Sequence, residues 1–179
     1  LTMEFIEGIK ISDSLKQGFD TYKISKLLIN SVMKMIFEDG FFHADPHPGN
    51  LFVNKDEKLI FLDLGQTGRL NEELREKILM LMLALVREDR LAVANALYDM
   101  VIKDGKIDLS DYRSDINDIL DEVLGKQLEE INFGIIMREL ISGARKHKMR
   151  IPLNITLMIK SILTIENVVK ELSPELKII

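Results

Sequence analysis

The chain has 179 residues, 46% of them hydrophobic and 30% charged, a balance that describes a globular domain with a real core and excludes a disordered or fibrous chain. Its formal net charge of -5 gives no electrostatic reason to expect nucleic acid, and the lack of any cysteine excludes disulfides and thiolate-bound metals. The start, Leu1-Thr2-Met3-Glu4-Phe5, has no basic region followed by an apolar run, so it does not read as a signal peptide. The longest apolar run, Ile78 to Val86, is too short to cross a bilayer and is expected in a helix buried on most sides. Leu1 in place of Met reads as the start of a piece of a longer protein.

In chain order, Leu1 to Ile6 predicts a short strand closed by Glu7-Gly8, and Ser12 predicts the cap of a short helix ending near Gly18. Asp20 is an N-cap for a long helix whose Ile24, Leu27, Leu28, Met35 and Ile36 share a face, and Gly40 ends it. Phe41 to Asn50 cannot continue that helix, because Pro46, Pro48 and Gly49 break it. Leu51-Phe52-Val53 and Leu59 to Leu62 flank the polar turn Asn54 to Lys58 and predict a hairpin. Everything after Gly65 reads as helical, over 71–87, 89–103, 110–124, 133–147 and 152–171, with starts at Asn71 and Pro152 and an end before Gly125. The fold class is therefore mainly α with one small β-hairpin, in a single domain without repeats or linkers.

The chemistry concentrates in His43-Ala44-Asp45-Pro46-His47-Pro48-Gly49-Asn50 and, across the hairpin, Asp63-Leu64-Gly65. Phosphoryl transfer from ATP needs a carboxylate near the attacking hydroxyl and oxygen ligands for Mg2+ at the phosphates. An Asp, an Asn five residues later and a second Asp returned by a hairpin supply that set. Protein kinases use the same order, H-R-D-x-x-x-x-N, two short strands, then D-F-G. Upstream, a long helix precedes the loop, and Met3-Glu4-Phe5 resembles a kinase hinge, the segment that borders adenine.

His43 to Asn50, read together with Met3 to Gly8 and Asp63-Leu64-Gly65-Gln66-Thr67-Gly68-Arg69-Leu70, resembles the UbiB/AarF family of atypical kinases. Ile151-Pro152-Leu153 and Leu172-Ser173-Pro174 are looser matches. Leu64 departs from the Phe usual there. The resemblance implies a protein-kinase-like C-terminal lobe over 1–179, with hinge 1–8, catalytic loop 43–50, metal-binding segment 63–65 and C-terminal helices 71–171. The N-lobe and its Lys are expected outside this chain. By this similarity Asp45 is the catalytic-loop Asp, and Asn50 and Asp63 are metal ligands. Met3, Glu4, Ile6, His47, Asn50 and Asp63 are the nucleotide-contacting residues, Glu4 through its backbone. ATP and Mg2+ are the implied cofactors, and isoprenoid-quinone (ubiquinone) biosynthesis or another lipid or small-molecule substrate is the implied setting.

The interval after Asp63 supports a non-protein substrate, since a helix begins by Asn71 and no Ala-Pro-Glu-like anchor follows. Ala44 stands where many regulated kinases have Arg, which removes an Arg-to-phosphate switch. Two rival readings are a nucleotide-binding pseudokinase scaffold and a metallohydrolase using His43, Asp45 and His47, the latter short of ligands because His147 is the sole remaining histidine. His43 itself reads as orienting the loop. The run Arg145 to Arg150 reads as cations at a helix end, with anionic lipid as the alternative. The expected location is cytoplasmic, membrane-associated when full length. The expected partners are nucleotide, a lipid or quinone precursor, and a second copy of the chain meeting the uncovered N-terminal strand.

Overall fold

The computed structural model describes residues 4–103, 105–124 and 133–176. Two compact units make up the chain, one running to Arg69 and resuming at Lys160, the other Leu70–Ile159.

In the first unit, β1 (Ile9–Lys10) leads into two short 3-10 turns, Ile11–Asp13 and Leu15–Gln17, stopped by Gly18 in the left-handed region at φ 77. The buried Ser14 hydroxyl donates to the Ile11 carbonyl at 2.7 Å and holds the first turn. The long helix α1 (Thr21–Phe37) starts where the Asp20 side chain accepts from the Lys23 N–H. It buries Ile24, Leu28, Val32 and Ile36, the i, i+4 row that a 3.6-residue repeat lines up, and Ser25 beside that row. Each fully buried aliphatic in that row stabilises by about 1.5–3 kcal/mol.

The chain then forms β2 (Phe41–His43), a loop ending in a 3-10 turn at Pro48–Asn50, β3 (Leu51–Val53), β4 (Leu59–Phe61) and β5 (Thr67–Arg69). Strands β1, β3 and β4 make an antiparallel sheet in that order, with Leu51 opposite Phe61 and Ile9 opposite Val53. Strands β2 and β5 make a separate ladder, His43 opposite Thr67 and Phe42 opposite Gly68. A Cβ on Gly68 would lie 2.2 Å from the Phe42 ring, so only glycine lets these strands close over that ring.

In the second unit come α2 (Glu72–Val86), α3 (Arg90–Met100), β6 (Ile102–Lys103), α4 (Leu109–Leu124), α5 (Phe133–Lys146) and β7 (Met149–Arg150), which pairs with β6. Asn71 and Asp89 cap α2 and α3 by accepting from the N–H groups of Leu74 and Ala92. Tyr112 is fully buried, its hydroxyl donating to the Ala94 carbonyl at 2.9 Å, and burial pushes its phenol well above the ordinary range. Helix α6 (Leu153–Leu172) begins in this unit and from Lys160 onward belongs to the first.

Several expectations are corrected. Residues 4–8 form no strand, and the strand that does form is Ile9–Lys10, because Gly8 and the exposed Phe5 have no ladder partner. Leu27 is 40% exposed and Met35 only half-buried, while Val32 takes the inward row and Ser25 is buried beside it. The chain beyond Gly65 is not wholly helical, since β5, β6 and β7 interrupt it. Ile78 to Val86 is not buried on most sides: Ile78, Leu81, Ala84 and Leu85 face inward, but Met80 and Val86 are 63% and 76% exposed. Gly125 and Met3 lie outside the described residues.

Candidate functional site

The loop between β2 and β3 is built around His43. Its ring is almost fully buried, and its Nδ1 accepts from the Asp45 N–H at 3.1 Å. A backbone N–H can only donate, so the proton sits on Nε2, which donates to the Leu62 carbonyl at 3.0 Å. The Leu62 N–H in turn donates to the Asn50 carbonyl at 2.8 Å. Leu62 is thereby tied to both ends of the loop, and Asp63 is the next residue. The broken helix signal at Pro46-His47-Pro48 has a local cause as well. The His47 N–H donates to the Asp45 carbonyl at 2.8 Å, and the His47 Nδ1 accepts from the Gly49 N–H at 3.1 Å, which folds the chain back to Asn50.

Asp45 is half-buried, and its Oδ1 lies 3.0 Å from the Lys160 ammonium. Asn50 is buried at 9% exposure, with its amide nitrogen directed to the Asp45 carbonyl at 3.5 Å, which leaves the amide oxygen as the atom able to meet a cation. Asp63 is exposed and sits at φ 55, a left-handed conformation uncommon outside glycine and stabilised here by its own Oδ1 accepting from the Gly65 N–H at 3.2 Å. Backbone held in a sparsely populated region concentrates at functional sites.

The donors left over are one amide oxygen and one carboxylate, all hard oxygen. Mg2+ prefers such ligands, keeps several waters, and is held by one or two protein groups together with substrate phosphates. Among the described residues no group of three or more His, Asp or Glu side chains forms a metal cage. The His43-Asp45-His47 metallohydrolase reading has no lone pair to use on His43, since both of its ring nitrogens are committed to the backbone.

A pocket of about 290 Å³ lies on the same unit, lined by Glu4, Phe5 and Ile6 from the first segment and by Phe52, Ile60 and Leu62 from the hairpin. Its lining is mostly apolar, and its size is at the small end of the range of about 300–1,000 Å³ for small-molecule sites. Leu62 belongs both to this pocket and to the frame that holds Asp63.

The amino-acid sequence over residues 1–97 matches the ABC1 atypical kinase-like domain, and residues 116–177 match the UbiB helical domain. The chain belongs to the ABC1 atypical kinase-like family. It is 31% identical to an uncharacterized protein in the hydrogenase 1 5' region of Clostridium pasteurianum, covering all of this chain and 34% of that protein. It is 30% identical to the protein ACTIVITY OF BC1 COMPLEX KINASE 3, chloroplastic, of Arabidopsis thaliana, covering all of this chain and 26% of the relative. It is 32% identical to the probable protein kinase UbiB of Pectobacterium carotovorum, covering 98% of this chain and 34% of the relative. The chain thus spans about a third or less of the length of these relatives.

As an ABC1-family chain, its mainly helical fold with small antiparallel sheets is kinase-like. Asp45, Asn50 and the residue before Asp63 join in one hydrogen-bonded frame, while Glu4 and Ile6 line the neighbouring pocket and His47 spends its Nδ1 on the turn. Sequence reading missed Phe52, Ile60 and Leu62 as pocket walls, and it missed Lys160 and Ser161. The signal for the last two was present: Lys160-Ser161 interrupts an apolar run from Leu157 to Leu163 in the centre of α6, where a polar pair needs a reason.

Proposed function

We propose that this chain is the ATP- and Mg2+-binding half of an atypical kinase or ATPase. Asp45 acts on the attacking hydroxyl or water, Asn50 and Asp63 hold Mg2+ at the phosphates, and Glu4 and Ile6, with Met3, border the adenine. The observation that carries this reading is the double tie from Leu62 to His43 and Asn50, which fixes the residue before Asp63 to the loop bearing Asp45. Mg2+ would supply charge neutralisation at the phosphates, and the chain's own residues would orient the carboxylate, the metal ligands and the base. The pocket beside Leu62 supports the nucleotide part, because an aromatic and aliphatic lining suits a flat purine.

A small or lipid-like acceptor, in isoprenoid-quinone metabolism by the family resemblance, suits the segment after Asp63. Residues 67–69 are locked into a ladder with β2, and α2 starts at Glu72, which leaves no length for a peptide platform. Among the described residues, no helix is long and apolar enough to cross a membrane.

The test is Mg2+-dependent ATP binding and hydrolysis by the full-length protein. Asp63→Asn removes the formal charge at the metal and is expected to abolish Mg2+-dependent binding, whereas Asp45→Asn spares binding and lowers turnover by at least about a hundredfold. Unchanged Mg2+-dependent ATP affinity in Asp63→Asn would overturn the assignment.

A further inference from the structure

The loop His43 to Asn50 carries no Lys or Arg of its own. A cation nevertheless reaches it from far along the chain. Lys160, on α6, places its ammonium 3.0 Å from Asp45 Oδ1 and 3.2 Å from Gln66 Oε1, bridging the loop to the segment that follows Asp63. The next residue fixes the register. Ser161 is fully buried and donates from its hydroxyl to the His43 carbonyl at 2.8 Å, so α6 cannot slide or rotate without breaking that bond.

We propose that Lys160 is the positioning residue of the reaction centre, holding one oxygen of the Asp45 carboxylate so that the other is aimed at the attacking group. This rests on the reading of Asp45 given above. Stability does not account for the pair. Both side chains are partly exposed, at 47% and 36%, and ion pairs at such exposure add little to stability. Geometry does account for it. A carboxylate on a Pro-flanked loop rotates about its side-chain bonds unless something restrains it, and a misplacement of about 1 Å at a reacting group costs on the order of a hundredfold in rate. Gln66 restrains the ammonium in turn, which couples the position of Asp45 to the segment carrying Asp63. The residue that completes the loop therefore comes from the stretch matching the UbiB helical domain, outside residues 1–97 that match the kinase-like model.

The experiment measures steady-state ATP hydrolysis with Mg2+ by the full-length protein and its variants. Lys160→Met is expected to lower kcat at least about tenfold while KM for ATP changes less than about threefold, because the ammonium acts through Asp45 and not on the nucleotide. Lys160→Arg keeps a cation and recovers most of the lost kcat. Gln66→Leu leaves the ammonium on Asp45 and produces a smaller loss, which shows the effect in a chain whose Lys160 is intact. Lys160→Met added to Asp45→Asn produces no further loss, since the two act as one unit. A Lys160→Met protein with unchanged kcat, a rise in KM as large as the fall in kcat, or no rescue by Arg overturns the positioning role. If Asp45→Asn still abolishes turnover in that case, the nucleotide-site reading stands alone. Wild-type turnover in Asp45→Asn, or none in the unaltered protein, overturns that reading and this proposal with it.

Discussion

Ser161 joins two residues 118 positions apart through a single buried hydroxyl bonded to the His43 carbonyl. Ser161→Ala leaves that carbonyl without a partner in a place that water does not reach, and the expected cost is about 1–3 kcal/mol in denaturant unfolding. Gly68 makes a different demand. A methyl group there meets the Phe42 ring at 2.2 Å, and the ring is fully buried, so Gly68→Ala should cost about 1–3 kcal/mol through overpacking. Equal midpoints for the Gly68→Ala and wild-type proteins in urea would show that the β2–β5 ladder opens more readily than this geometry allows.

Helix boundaries were the most legible elements, because caps are local. Asp20 and Asn71 each accept from the N–H three residues on, as their positions before apolar periodic segments predict. Asp20→Ala should therefore destabilise the first unit by about 1 kcal/mol, read as a loss of helical signal at lower denaturant, whereas Ser12→Ala should not, since its predicted cap is not there. Two-residue strands were not legible: β1, β6 and β7 have no period to detect, and β5 contains a central glycine whose reason is a ring 26 residues earlier. The apolar run in α2 was misjudged because continuous hydrophobicity has no face. Only the fold decides that Leu81 turns in while Met80 turns out. The placement of Asp45, Asn50 and Asp63 on a broken loop and a hairpin was legible from spacing, but the partner of Lys160 was not, since Asp45 is 115 residues away. The expectation of self-association rested on an uncovered strand at 1–6 and on an exposed apolar face at the cleft. The exposed Phe5 and Ile6 are present, but residues 4–8 offer no strand edge.

At the scale of the whole molecule, the basic run that begins in the last turn of α5 is partly spent on internal charge. Asp115 accepts from Lys146 at 2.6 Å and from His147 at 2.8 Å, and these bonds, the lysine's first, hold its carboxyl below the usual carboxylate range. A group whose pKa is depressed on folding adds stability above its unfolded value and loses it as pH falls through the folded one. Asp115→Asn should thus lower the thermal midpoint at neutral pH, with the difference from wild type shrinking below about pH 4. A difference that stayed constant to lower pH would mean the carboxylate charge is not what matters.

In the proposed function, Asp45, Asn50 and Asp63 serve one Mg2+–nucleotide site walled by Phe52, Ile60 and Leu62. A crystal structure of the full-length protein with Mn2+ and a non-hydrolysable ATP analogue tests it most directly. An anomalous Mn2+ peak is expected in contact with Asn50 Oδ1 and the Asp63 carboxylate, with the purine against the hairpin side chains and Asp45 facing the γ-phosphate. Nucleotide and metal bound elsewhere, with Asp63 turned away from both, would contradict it.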